Sequence, residues 1–370
     1  MASLADFTTL RVGGQIDDTR VARNEEELIA AVSEADAAGR PLLVIGGGSN
    51  LVPDDSPFAG TVVLVETDGQ GPTLSDSCDI SPNSEGKLPP SCGGVTVEHF
   101  AGVRWDDAVR FAVENELLGT ECLSGIPGTV GATPVQNVGA YGQDVSATIS
   151  RVRAWDRHEN RVRTFFAADC GFGYRTSVFK RTPYEGPAKS ATGRYVVLSV
   201  QFQHTQGDTA KAVVYPELAR ELGIEVGERA PLKSVREAVL AIRTRKAMVS
   251  LEEEHDTWSA GSFFTNPILT AEQALALPLE APRFAAGNGV DGEELVKTSA
   301  AWLIARAGFA PGYGVNERAT LSTRHTLALT NRGGASAADI RELARAVRAG
   351  VEEKFGIRLD VEPVQIGEPI

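Results

Sequence analysis

Apolar residues recur along this chain at two different spacings, and the alternation between them outlines its elements. After Asn24 they fall three and four positions apart up to Gly39, which is the period of a helix with one buried stripe. Asn24 followed by Glu27 reads as a capping box, and Gly39 as the stop. The short run "PLLVI" that follows reads as a buried strand, so the segment is a strand-helix-strand unit ending in Gly46, Gly47, Gly48, Ser49 and Asn50. Alternation resumes in "GVTVEHFAGVRW", and "WDDAVRFAVENELLG" predicts a helix closed by Gly119. From about residue 147 the pattern is strand-rich, with "ATISRVRAW", "RVRTF" and "RYVVLSVQF" separated by turn residues. A helix is then expected to open at Ser234 with Glu237 as its capping partner. Further on, the pattern predicts a helix over "ELVKTSAAWLIARAGF" and a strand at "HTLALTN". A last helix should start at Ser336, with Ile340, Leu343, Val347, Val351 and Phe355 along one stripe, and "IRLDVEPVQIG" should be a final strand. This mixture defines an α+β protein of more than one domain.

Composition narrows the functions available. The chain has 370 residues, of which 42% are hydrophobic and 23% charged, so a sizeable core is expected. A formal charge of −13 disfavours broad nucleic-acid or acidic-membrane surfaces, which need a basic face. An anionic small molecule stays possible, because screening beyond about 8 Å leaves only the lining of a pocket to matter. Cys78, Cys92, Cys122 and Cys170 form no C-x-x-C pair, and no metal site is expected. With no leader-like start and no apolar run of about 18 residues, the expectation is a cytoplasmic protein without membrane insertion. Residues 66–93, rich in Gly, Pro, Ser and Asp, read as a mobile surface excursion. Cys78 and Cys92 lie in it, either paired or as two free thiols.

Among nucleotide signals, "GNGVDG" at Gly287–Gly292 fits G-x-G-x-x-G, but no convincing strand leads into it and Asp291 would face the phosphates. P-loop and nucleophile-elbow patterns are lacking. Two charge-free segments carry more weight. They are "IGGGSN" and residues 124–143, "SGIPGTVGATPVQNVGAYGQ", with five glycines and two prolines. Glycine lets successive N–H groups converge and lets a flat ligand approach the backbone, which makes an anion-binding nest without a cation. Each segment alone is explained by tight turns; as a pair they point to a dinucleotide carrying an aromatic ring system.

"LVIGGGSNLV", "LGTECLSGIPGTVGATPVQNVGAYG", "CGFGYRTSVFK", "AGSFFTNP", "KTSAAWLIARAGF" and "LSTRHTLALTN" resemble, in order and over nearly the whole chain, the signatures of the UDP-N-acetylenolpyruvoylglucosamine reductase family. The resemblance implies an FAD-binding fold of the vanillyl-alcohol oxidase type, with two FAD-binding subdomains at 1–67 and 68–242. A smaller α+β substrate-binding domain would span 243–357, and 358–370 would form a C-terminal strand returning to the active site. It further implies an enzyme in which FAD takes hydride from NADPH and passes it to the enolpyruvyl ether of UDP-N-acetylglucosamine, in peptidoglycan synthesis; a monomer is expected, although the sequence alone does not fix the oligomeric state. The 66–93 excursion is longer than that family's pattern.

The resemblance also assigns residues. Gly46, Gly47, Gly48, Ser49 and Asn50 would hold the cofactor from the first loop. From the second loop come Gly125, Ile126, Pro127, Gly128, Gly131, Ala132, Gln136, Asn137, Gly139 and Tyr141. Arg175 would clamp the enolpyruvyl carboxylate, a task suited to a planar, permanently charged fork. Ser262 would be the proton donor, a weak acid that needs its alkoxide stabilised or its proton resupplied. Glu362 would act as a second acid, with Asp360 its neighbouring competitor and Pro363 a departure from the commoner pattern. Substrate contacts would come from Tyr174, Tyr215, Arg243, Lys246, Asn266, Lys297 and His325, with Tyr215 on a loop that closes over the diphosphate. The rival expectations are an oxygen-using oxidase on the same fold and a non-catalytic nucleotide-sugar binding module.

Overall fold

Several helices begin here where a side chain accepts from a first-turn N–H. Asn24 Oδ1 accepts from the Glu27 N–H at 2.8 Å to open α1 (Glu25–Ala37), and Gly39 at φ 62° leaves it. The structure, a computed structural model, describes residues 2–68, 73–76, 94–186, 190–289 and 291–370. The chain divides into two compact units: a larger one of Ile16–Gly47 and Phe58–Val249, and a smaller one of Met1–Gln15, Gly48–Pro57 and Ser250–Ile370.

In the larger unit, β1 (Ile16–Ala22), β2 (Leu42–Ile45) and β3 (Phe58–Val65) form a parallel sheet of order β1-β3-β2. Its central strand buries Val62 and Val63, and α1 buries Leu28 and Val32 in the same core as Val63. An antiparallel sheet follows, built from β4 (Thr73–Asp76), β5 (Val95–Phe100), β6 (Ile149–Asp156), β7 (Arg161–Phe166) and β8 (Tyr195–Gln206) in the order β7-β6-β8-β5-β4. Thr73–Asp76 therefore extends a sheet from within the expected excursion; residues 69–72 and 77–93, with Cys78 and Cys92, lie outside the described residues.

Two helices of this unit differ from the sequence expectation. α2 (Trp105–Glu114) stops five residues before Gly119, because Glu116 turns left-handed at φ 59° and Leu117–Leu118 pair with β8. α3 (Pro216–Leu222) precedes α4 (Leu232–Arg245), which starts two residues before Ser234. Pro231 sets the entry, since proline pre-forms the first-turn backbone angle and has no N–H to lose. Ser234 and Glu237 sit inside the helix, where the capping spacing arises by chance.

The smaller unit gathers three separate stretches of chain. β9 (Ile268–Thr270), β10 (Phe284–Asn288) and β11 (Glu294–Lys297) form a small antiparallel sheet, with α5 (Ala271–Ala276) between the first two. Glu294–Lys297, expected as helix, is thus a strand; α6 (Ala300–Arg306) starts only where Ser299 Oγ accepts from the Trp302 N–H at 3.2 Å. "GNGVDG" falls at the β10–β11 connection and leads into a strand, not a helix. The long helix α7 (Ala337–Phe355) opens at Ser336, closes at Gly356, and buries Ile340, Leu343, Val347 and Val351 completely. The C-terminal stretch is less regular than expected: only Val364–Gln365 is strand, parallel to Leu51–Val52. The buried Arg341 fastens that pair by donating from Nη2 to the carbonyls of Ile366 (2.8 Å) and Pro53 (3.2 Å).

Candidate active site

The unit boundary falls inside the first glycine loop, so its residues are placed on both sides. Gly46 and Gly47 belong to the larger unit, where they press against the second loop. A Cβ on Gly47 would lie 2.6 Å from the Gly128 Cα, and one on Gly46 would lie 2.2 Å from Thr129 Oγ1. Only glycine permits this approach of two backbones. Gly48, at φ 59° in the smaller unit, meets the Phe7 carbonyl in the same way, and Ser49 and Asn50 follow it. Gly131 packs against Ala101, whose carbonyl accepts its N–H at 2.8 Å.

Sequence reasoning missed the residues that shape the second loop from behind. Asp106 Oδ1 accepts the Gly125 N–H at 2.6 Å while Arg236 pairs with the same carboxylate at 2.7 and 2.8 Å. Burial works to raise the Asp106 pKa, but these hydrogen bonds outweigh it and hold the carboxylate below its ordinary value. Glu121, fully buried, accepts from the Gly119 N–H (2.7 Å) and from Gln143 Nε2 (2.8 Å), while Gln143 Oε1 takes the Cys122 N–H. Apart from an acid near a helix start, nothing in one sequence marks either carboxylate.

Further along the larger unit, three expected site residues hold left-handed backbones: Asn137 (φ 49°), Tyr141 (φ 50°) and Arg175 (φ 53°). Such angles are uncommon outside glycine and cluster where geometry is over-determined. Arg175 donates from Nη2 to the Gly139 carbonyl at 2.7 Å, and its guanidinium lies 5.5 Å from the exposed ring of Tyr174. Tyr141 meets Tyr215 edge to face at 5.4 Å. Burial pushes the Tyr141 phenol up to about 12, against the pull of Arg243, which bonds to it. Arg243 is 6% exposed and donates to the Met248 carbonyl at 2.6 Å, and burial lowers its pKa; its Nε has no hydrogen-bond partner among the described residues. Lys246 pairs with Glu217 at 2.5 Å, on the helix that starts beside Tyr215. Ile126, Pro127, Ala132 and Gln136 lie on the same loop.

In the smaller unit, the backbone of Phe263 joins two further site segments. Its N–H donates to the Leu327 carbonyl at 2.7 Å, on the turn that carries His325. Its carbonyl accepts from the Glu362 N–H at 2.9 Å, so Ser262 and Glu362 sit on adjoining chain segments. Glu362 is 9% exposed whereas Asp360 faces solvent, which separates the two competing carboxylates. Gly261, at φ 72°, makes the turn before Ser262. Buried Asp256, another residue unmarked in sequence, fixes the 322–325 turn by accepting from the Thr323 N–H (2.9 Å) and hydroxyl (2.5 Å). Asn266 Oδ1 accepts from the Ala300 N–H at 3.0 Å and so helps start α6, while Lys297 ends β11.

Two glycine loops meeting backbone to backbone beside a parallel sheet, with a buried arginine and tyrosines nearby, describe a dinucleotide-binding flavoprotein. Residues 19–164 match the FAD binding domain family, and residues 252–366 match the UDP-N-acetylenolpyruvoylglucosamine reductase C-terminal domain. Two curated reductases of that name are similar throughout. The one from Cutibacterium acnes is 50% identical over 98% of this chain and 89% of its own, and that from Thermobifida fusca 48% identical over 98% and 96%. The solved structure of the Thermus caldophilus enzyme, 23% identical, shares the fold with a TM-score of 0.59 over 99% of this chain and 98% of its own. The chain belongs to the UDP-N-acetylenolpyruvoylglucosamine reductase family.

Proposed function

We propose that Ser262, Arg175 and Glu362 perform the chemistry of an FAD-dependent reductase on an enolpyruvyl sugar nucleotide, with NADPH as the reductant. The enzyme reduces the enolpyruvyl ether of UDP-N-acetylglucosamine to UDP-N-acetylmuramate in peptidoglycan synthesis. FAD fits the glycine loops because they carry many glycines and no charged side chain, which lets main-chain N–H groups serve as its anion-holding donors. Gly46, Gly47, Gly48, Ser49 and Asn50 of the first loop and Gly125, Ile126, Pro127, Gly128, Gly131, Ala132, Gln136, Gly139 and Tyr141 of the second would hold it. When bound, FAD supplies the hydride-transfer chemistry that no side chain provides.

The remaining tasks fall to the protein. Negative charge spreads into the substrate carboxylate as its double bond is reduced, and the Arg175 guanidinium stabilises it there. Ser262 Oγ delivers the proton to the neighbouring carbon, and the turn at Gly261 gives it access. Glu362 lies one hydrogen-bonded segment away and is buried. That seating of Glu362 against Phe263 is the observation that carries the assignment. Arg243 and Lys246 take the diphosphate, with Tyr215 closing over it, and Tyr174, Asn266, Lys297 and His325 complete the substrate contacts.

Replacing Ser262 with alanine leaves flavin reduction by NADPH near its normal rate and lowers transfer to the sugar by about 100-fold or more, measured as two separate half-reactions. Equal loss in both would remove the serine from this role. Among the described residues no helix is long and apolar enough to cross a membrane. We place the enzyme in the cytoplasm as a monomer, which light scattering of the FAD-loaded protein would check.

A further inference from the structure

We infer that Asn137 is a positioning residue for Arg175: its carboxamide locks the turn that aims the guanidinium, instead of contacting the cofactor. This rests on the reading of Arg175 as the carboxylate clamp. Gly173 and Thr176 exchange hydrogen bonds across a tight turn, the Gly173 N–H to the Thr176 carbonyl at 3.0 Å and the Thr176 N–H to the Gly173 carbonyl at 3.3 Å. Arg175 occupies the left-handed position inside it, a conformation an arginine adopts only when its surroundings impose it.

Asn137 supplies the restraint. Its Nδ2 donates to the same Gly173 carbonyl at 3.1 Å, and its Oδ1 accepts from the Ser146 N–H at 3.1 Å. The residue is 6% exposed and itself left-handed, so side chain and backbone are both held. The exchange is reciprocal. Arg175 reaches back to the loop that bears Asn137, donating to the Gly139 carbonyl at 2.7 Å and, more weakly, to the Asn137 carbonyl at 3.4 Å. One side chain from each segment thus bonds the other segment's backbone. Gly139 belongs to the same device, since a Cβ there would come 3.3 Å from Arg175 Nη1. With its carboxamide oxygen and nitrogen both engaged on protein backbone, Asn137 has its main polar capacity committed to this clasp.

Four variants of the full-length, FAD-loaded enzyme test this: Asn137→Gly, which removes the carboxamide without backbone strain, Asn137→Asp, which keeps the acceptor but not the donor, Arg175→Ala, and the double variant Asn137→Gly with Arg175→Ala. Flavin content, flavin reduction by NADPH, and reoxidation by the enolpyruvyl sugar are measured separately. Both Asn137 variants should keep flavin content and the first half-reaction while slowing the second on the order of 10- to 100-fold. The double variant should be no slower than Arg175→Ala alone, because the asparagine acts only through the arginine. Normal reoxidation in both Asn137 variants, loss of flavin from Asn137→Asp, equal slowing of both half-reactions, or multiplying losses in the double variant would each overturn the inference. If Arg175→Ala itself reoxidises normally, the clamp reading falls and the inference with it; if only the Asn137 variants do, the clamp stands and the positioning role alone is lost.

Discussion

At Gly47 one hydrogen atom separates a working loop from a collision. A methyl there would sit 2.6 Å from the Gly128 Cα, and backbone cannot swing aside as a side chain can. Gly47→Ala is therefore expected to yield protein with native far-ultraviolet dichroism but with most of its flavin missing, read from visible absorbance per chain. Full loading would show that the loops do not need this approach. The glycines were legible in sequence because conformational freedom is a property of the residue itself. Asp106, Glu121 and Asp256 were not, since a carboxylate that braces a loop differs from a solvated one only in what surrounds it. Asn137 shows the same limit: its motif points to the cofactor loop, while its bonds point to Gly173 and Ser146.

Among the elements, the ends held by local bonds agree with their sequence signals and the ends set by distant pairing do not. Asn24 and Ser336 cap helices three residues ahead of themselves, which a short window contains. Glu294–Lys297 became strand through partners near residues 268 and 284, well outside any such window. Ser234–Glu237 carried the spacing of a cap without being one. α7 is the element whose apolar stripe was plainest, and it bears the most concentrated burial of the smaller unit. Leu343→Ala, at a fully buried position in its middle, should lower unfolding free energy by about 2–5 kcal/mol in a denaturant titration. A loss below about 0.5 kcal/mol would mean that this core collapses around the gap.

For the whole molecule, charge and acidity are coupled to stability through two histidines buried in the larger unit. Burial, reinforced by His204, drives His99 down to about 4, and burial also lowers His204. Both are therefore neutral when folded and bind protons more readily when unfolded, so their contribution is full above about pH 6.5 and is lost as pH falls toward 4. For His99 this amounts to about 3 kcal/mol across that window. Unfolding midpoints at pH 7 and pH 5 should diverge for the native enzyme and diverge less for His99→Phe, which keeps the aromatic contacts with Phe111 and Phe202 while His204 remains. An unchanged divergence would assign the acid sensitivity to other groups.

The smaller unit draws together stretches of chain that are far apart in sequence. Thr9 Oγ1 donates to the Ser259 carbonyl at 2.6 Å, and Asn331 Nδ2 to the Leu10 carbonyl at 3.1 Å, so these two contacts join residues 250 and 321 positions apart. During synthesis the segment around Thr9 and Leu10 leaves the ribosome long before Ser259 and Asn331 are made, and it must wait, solvated, for them. A ribosome that stalls just after Val249 would release a chain holding all of the larger unit and two orphaned threads, Met1–Gln15 and Gly48–Pro57.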